Sequence, residues 1–201
     1  ASNWGAAPGA AVTGAATADS TAAGSAPVVA QPASERPAAI AKAVLDNGLK
    51  VAAFNLDAGE LPKGDRGLLN DPERERQMRE NVPVTFDLAQ KVGCRKLTAL
   101  AGNLRPGEER EEQLDRIREN LRWICEEANG AGITIMVEAI NAFDNKLYPS
   151  TTTADTLAFL DSVGAPNLDY LYDIYHMQIM EGDVIATGRG SRLYGFQDCI
   201  E

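Results

Sequence analysis

Between residues 37 and 176, four short apolar runs (LKVAAFN, RKLTALAG, ITIMVEA and LDYLYDIYH) alternate with longer charged stretches. That alternation constrains the fold more than any other feature. Runs rich in β-branched residues and closed by Gly or Asn read as strands, and the charged stretches carry apolar residues at helical spacing. In EEREEQLDRIRENLRWICEEANG, Leu114, Ile117, Leu121 and Ile124 fall on one helical face. PAAIAKAVLDNG offers a narrower stripe of Ile40, Val44 and Leu45, with Gly48 placed to stop the helix. PERERQMRENVPVTFDLAQKVG predicts a helix capped by Asn70 or Asp71, with Pro72 at its first position and a kink at Pro83. TTTADTLAFLDSVG predicts a capped fourth helix, and a short Met-rich helix is expected after His176. The order is α, β, α, β, α, β, α, β in units of roughly 35 to 45 residues, the rhythm of a parallel α/β fold. ITIMVEA is apolar on both faces, as a strand covered by helices must be.

The chain of 201 residues divides into three parts. Residues 1–34 are mostly Ala, Gly, Ser, Thr and Pro, with Asp19 the only charge, and this low-complexity segment is expected to be disordered. Residues 35–187 form the globular part, and 188–201 form a tail of different texture. The formal charge of -10 argues against nucleic acid or an anionic membrane as partner, because either would be repelled over much of the surface. Cys94, Cys125 and Cys199 are widely spaced without a CxxC pair, which suggests neither a disulfide framework nor a structural zinc site. No basic residue precedes Arg36 and no long apolar run occurs, so a cytoplasmic location is expected.

Function is concentrated where the strands end. The first strand ends in Asn55, the second in Ala101, Gly102 and Asn103, the third in Glu138 with Asn141 close behind, and the fourth in Asp173 followed by His176. In a (β/α)8 barrel the active site is assembled at that face from several strand ends. A doubly wound sheet would instead bind at one switch point, usually on a Gly-rich phosphate turn, and no GxGxxG follows a strand here. Glu138 and Asp173 suit a hard divalent cation such as magnesium or manganese, or else form ion pairs with basic neighbours. His176 is either a hydrogen-bonded packing residue or a member of the site. As the sole histidine, it rules out a His-rich zinc centre. Tyr170 and Tyr172 are expected to pack on one face, and Tyr175 to line the site.

The segments FNLDAGELPKGDRGLLNDPERERQMRENVPV, ALAGN, VEAINAFDN and YDIYHMQIMEGD together resemble the hydroxypyruvate isomerase family, over about residues 37–187. The resemblance implies a xylose isomerase-like TIM barrel that interconverts hydroxypyruvate and tartronate semialdehyde, or related aldoses and ketoses, through an enediolate. It implies roles for particular residues: Glu138 as catalytic acid/base and metal ligand, Asp173 as second metal ligand, and His176 as the residue that reaches substrate oxygens. Asn55, Asn141 and Asp144 fall where related enzymes contact substrate or shape the pocket. It also implies a small hydroxy-carbonyl substrate, magnesium or manganese as cofactor, and a place in carbohydrate and glyoxylate metabolism. A DNA-repair endonuclease of the same superfamily is disfavoured by the acidic charge and the single histidine.

On this reading the four strands are the third to sixth of the family barrel, so the expected fold is a partial (β/α)8 TIM barrel of about four β/α units. Both ends depart from the family pattern and suggest a truncated chain. The family's third metal ligand and second catalytic glutamate lie on the last two strands. Two outcomes follow for such a chain: an isomerase, or a non-catalytic barrel fragment that associates. A partial barrel is also expected to expose two sheet edges and its inner face, which favours a homo-oligomer.

Overall fold

The computed structural model describes residues 36–184, all within the larger of the chain's two compact units, Pro32–Glu201. The segment 1–34, the tail 188–201 and Cys199 lie outside the described residues.

The elements run α1 (Arg36–Asp46), β1 (Phe54–Asn55), α2 (Glu75–Val92), β2 (Lys96–Thr98), α3 (Arg110–Ala131), β3 (Thr134–Glu138), α4 (Thr153–Val163), β4 (Leu168–Leu171) and α5 (Ile174–Met180). All strand pairings are parallel and the sheet order is β1-β2-β3-β4, so each strand lies beside the next one in sequence. Helices carry every crossover. An order without reversal belongs to a barrel wall and excludes the switch point of a doubly wound sheet.

Strand alternation separates two faces. Leu97, Ile135 and Val137 point into the core beneath the helices, where Ile117, Leu121 and Ile124 of α3 are fully buried. The α3 stripe thus packs as its spacing predicts, with Leu114 at its margin. On the opposite face the register places Asn55, Thr98, Met136 and Asp169 in one row. That face is less open than expected: Thr98 and Met136, on the two middle strands, are buried, and exposure rises only toward the edges. Buried Cys125 and partly buried Trp123 are packing residues, and Arg79 stacks over the Trp123 ring with its guanidinium carbon 4.5 Å from the centroid.

Several local expectations shift. The run Leu49–Ala53 is not strand, and β1 keeps only two residues because, at the sheet edge, it has β2 alone to pair with. On α1 only Ala41 is buried, while Ile40 and Leu45 are more than half exposed. Helix α2 starts at Glu75; Asp71 instead holds the preceding turn, accepting from the Glu73 N–H at 3.1 Å. The helix continues through Pro83 without a break. Strand β4 stops at Leu171, and α5 begins before His176, with Asp173 as its N-cap.

Candidate active site

Glu138 ends β3, and its side chain belongs to the row opposite the core, with only 14% exposed. Asp173 lies two residues past the end of β4, where its Oδ1 accepts from the His176 N–H at 3.2 Å. Capping α5 therefore also fixes the carboxylate in space. Helix α5 is anchored in turn: Met177 is fully buried, and Glu181 accepts from both the N–H and the hydroxyl of Thr153 at 2.7 and 3.0 Å.

Burial first, then the charge of Asp173 and a hydrogen bond shared with it, push the Glu138 carboxyl up to about 8. Among the described residues no Lys or Arg pairs with either acid, so the ion-pair alternative is not what the fold builds. The one basic group at hand is His176, with Nε2 3.7 Å from Glu138 Oε1, beyond hydrogen-bond reach.

The protonation of that imidazole follows from its other edge. The backbone N–H of Asn141 donates to His176 Nδ1 at 3.2 Å, and the Asn141 amide nitrogen lies 2.9 Å from the same atom. The amide orientation is set by its own contacts: Oδ1 accepts from the Asp144 N–H at 2.9 Å, and Nδ2 donates to Asp144 Oδ2 at 3.1 Å. Nδ1 is therefore an acceptor, and the neutral ring carries its proton on Nε2, toward Glu138. His176 is built to donate a hydrogen bond there rather than to ligate a metal.

Ligand atoms of Glu138, Asp173 and His176 lie within 4.8 Å of one another. The two carboxylates fit a hard divalent cation: both are oxygen donors, and the crowding that raises Glu138 is what a bound dication relieves. The imidazole, held at Nδ1 by Asn141 with Nε2 toward Glu138, completes the rim.

Asn141 is fully buried, and Asp144 also accepts from the exposed Tyr175 hydroxyl at 3.2 Å, so these two residues and Tyr175 brace His176. Tyr170 and Tyr172 pack edge to face, 5.9 Å apart, both buried. Asn55 stands apart: it is exposed on the edge strand, level with Met136 and two residues short of Glu138 in register. No described hydrogen bond joins it to the cluster. Three residues went unnoticed in the sequence. Tyr148 accepts from the Ala101 N–H at 3.1 Å and donates to the Glu138 carbonyl at 3.3 Å, tying the ends of β2 and β3 together. Asn145 and Arg66 join the β3–α4 loop to the β1–α2 loop. Only the Gly-flanked Arg in KGDRG gave any sequence signal.

Residues 10–197 match the profile of the Xylose isomerase-like TIM barrel family. The chain belongs to that family. The match reaches past residues 37–187 on both sides. Within the family, the chain is 36% identical over 141 residues to hydroxypyruvate isomerase of Escherichia coli (strain K12), covering 70% of this chain and 55% of that protein. It is 35% identical over 148 residues to 2-oxo-tetronate isomerase of Cupriavidus necator, covering 73% and 57%. The chain thus spans about half the length of the curated relatives it matches. Among solved structures, an AP endonuclease, family 2, from Brucella melitensis superposes with a TM-score of 0.70 at 28% identity, covering 77% of this chain and 59% of that one. An L-ribulose 3-epimerase superposes with a TM-score of 0.59 at 28% identity, covering 80% and 53%. The xylose isomerase-like barrel is thus shared by chains whose names differ in chemistry. Among the described residues no helix is long and apolar enough to cross a membrane.

Proposed function

We propose that this chain isomerises a short hydroxy-oxo acid of the hydroxypyruvate or 2-oxo-tetronate kind, with Glu138 moving the proton. The observation that carries this reading is the half-buried Glu138–Asp173 carboxyl pair, at and just past the ends of neighbouring strands, with the His176 Nε2–H beside it. The names of the curated relatives support the substrate class.

Isomerising an α-hydroxy carbonyl compound takes a proton from the hydroxyl-bearing carbon and returns one to the carbonyl carbon, while the hydroxyl proton passes to the former carbonyl oxygen. Glu138, seated at the end of β3 and held mostly out of water, accepts that carbon-bound proton in its ionised form. Negative charge then grows on the carbonyl oxygen. The Nε2–H of His176 donates to that oxygen without having to reorient, since Asn141 and Asp144 already hold the ring. Asp173, tied to the His176 backbone, keeps its place beside Glu138. Magnesium or manganese, held by Glu138 and Asp173, would polarise the substrate oxygens when bound.

A phosphodiester-cleaving reading, prompted by the family's endonuclease member, has less support. The chain has one histidine and a formal charge of -10, which opposes binding to a polyanion.

The test is conversion of hydroxypyruvate to tartronate semialdehyde by purified protein in magnesium or manganese. Glu138→Gln should lower the rate by about 100-fold or more. Full activity in the variant would sink the assignment.

A further inference from the structure

The β1–α2 loop brings one cation to the strand ends without neutralising it. Two contacts fix Arg66 against the end of β2: its carbonyl accepts from the Gly102 N–H at 2.8 Å, and a Cβ on Gly67 would lie 1.9 Å from the Leu100 carbonyl oxygen. The loop thus crosses the strand end with no room for a side chain at position 67. Thr98 pairs with Met136 and the Ala99 N–H donates to the Met136 carbonyl at 2.8 Å, so the two strands run side by side up to this point. The Arg66 backbone therefore stands at the end of β2, the strand beside the one that carries the proton-transferring carboxyl.

The Arg66 guanidinium is held entirely on neutral oxygens. Nε donates to Asn145 Oδ1, and Nη1 to the Leu61 and Asp65 carbonyls at 3.3 and 2.6 Å. Nη2 donates to no described residue. The adjacent acid, Asp65, is already taken by two hydrogen bonds from Arg74, at 2.6 and 3.1 Å, and one from the Glu60 N–H at 2.7 Å. Nearby Arg105 and Arg116 likewise sit on Asp71, Glu73 and Glu108. Asn145 belongs to the loop that positions the imidazole, since its N–H donates to the Asn141 carbonyl at 3.2 Å. One loop therefore braces both the guanidinium and His176. A cavity of about 180 Å³ opens at Arg66, walled by Asn70 and Asn103 and by Arg74 and Arg105, whose charges meet those of Asp65 and Asp71 in the same wall.

A half-buried guanidinium without an anion is an incomplete pair, and on a chain of formal charge -10 an acidic substrate needs a local cation. We infer that Arg66 binds the substrate carboxylate and selects hydroxy-oxo acids over neutral sugars of the same length. This rests on the isomerase reading above and names the residue that sets its substrate class.

Hydroxypyruvate and dihydroxyacetone make the discriminating pair, because they differ only by a carboxylate in place of a hydroxymethyl group. Calorimetric titration of the full chain, with manganese present and again after chelation, should show hydroxypyruvate binding at least about tenfold tighter. Arg66→Gln should weaken hydroxypyruvate about 10- to 100-fold and move dihydroxyacetone less than about threefold, collapsing the ratio. Arg66→Lys should restore part of it, keeping the charge but not the planar fork. Equal affinities in the wild type, an unchanged hydroxypyruvate affinity in Arg66→Gln, or no hydroxypyruvate binding in either condition would overturn the inference. Equal weakening of both ligands would also overturn it, by marking Arg66 as merely structural. Selective binding without turnover would count against the isomerase reading alone, whereas turnover with an unaltered ratio in Arg66→Gln would count against Arg66 alone.

Discussion

Glu138 and Asp173 share a crowded, water-poor corner, and the metal-free protein should register that crowding in its stability. Because the folded-state Glu138 carboxyl is raised from the usual 4.5 to about 8, the folded chain holds a proton that the unfolded chain releases between those values. Its contribution is fully present below pH 4.5 and is lost as pH rises through 8. The loss is on the order of 5 kcal/mol. Urea unfolding of chelator-treated protein should therefore show stability falling from pH 5 to 9, and Glu138→Gln should flatten most of that slope; an equal slope in the variant would contradict it. The two carboxylates were visible in the sequence because each breaks an apolar run at its end. The orientation of His176 was not, because it depends on Asn141, which lies 35 positions away in the chain.

At the level of elements, the sequence period set the helices and the strand order but not where each element starts or stops. Helix α3 matches its stripe because Ile117, Leu121 and Ile124 meet the sheet directly. The α1 stripe misleads because Ile40 and Leu45 have no sheet beneath them, and apolar spacing alone does not say which face finds a partner. Asp173 looked like the last strand residue and is a helix cap, a change that ties it to His176 through the backbone. Loops show the same limit more strongly. The close approach of Gly67 to Leu100 joins residues 33 apart in sequence and leaves only a Gly in KGDRG as its trace. Gly67 also sits at φ 107, where a side chain is strained whatever the space. Gly67→Ala should therefore cost about 3 kcal/mol or more, seen as an earlier denaturant midpoint, and should displace Arg66. A variant as stable as the wild type would show that the loop does not lie on the strand end.

Across the whole molecule, four parallel strands in sequence order make a wall of a barrel, and the residues proposed for the site stand along its C-terminal rim. Tyr148 joins the ends of β2 and β3, Arg66 and Asn145 join two loops, and Glu181 pins α5 to α4. The carboxyl pair therefore exists only while β3, β4 and α5 are assembled, so a cation that binds it must stabilise the entire fold. That coupling gives the most direct test of the central claim, that Glu138 and Asp173 form a divalent-cation site. Thermal unfolding at fixed pH is followed as manganese is added to chelator-treated protein. The melting temperature of the wild type should climb steadily with manganese concentration, while Glu138→Gln and Asp173→Asn stay flat. A wild type indifferent to manganese, or variants that climb with it, would contradict the account.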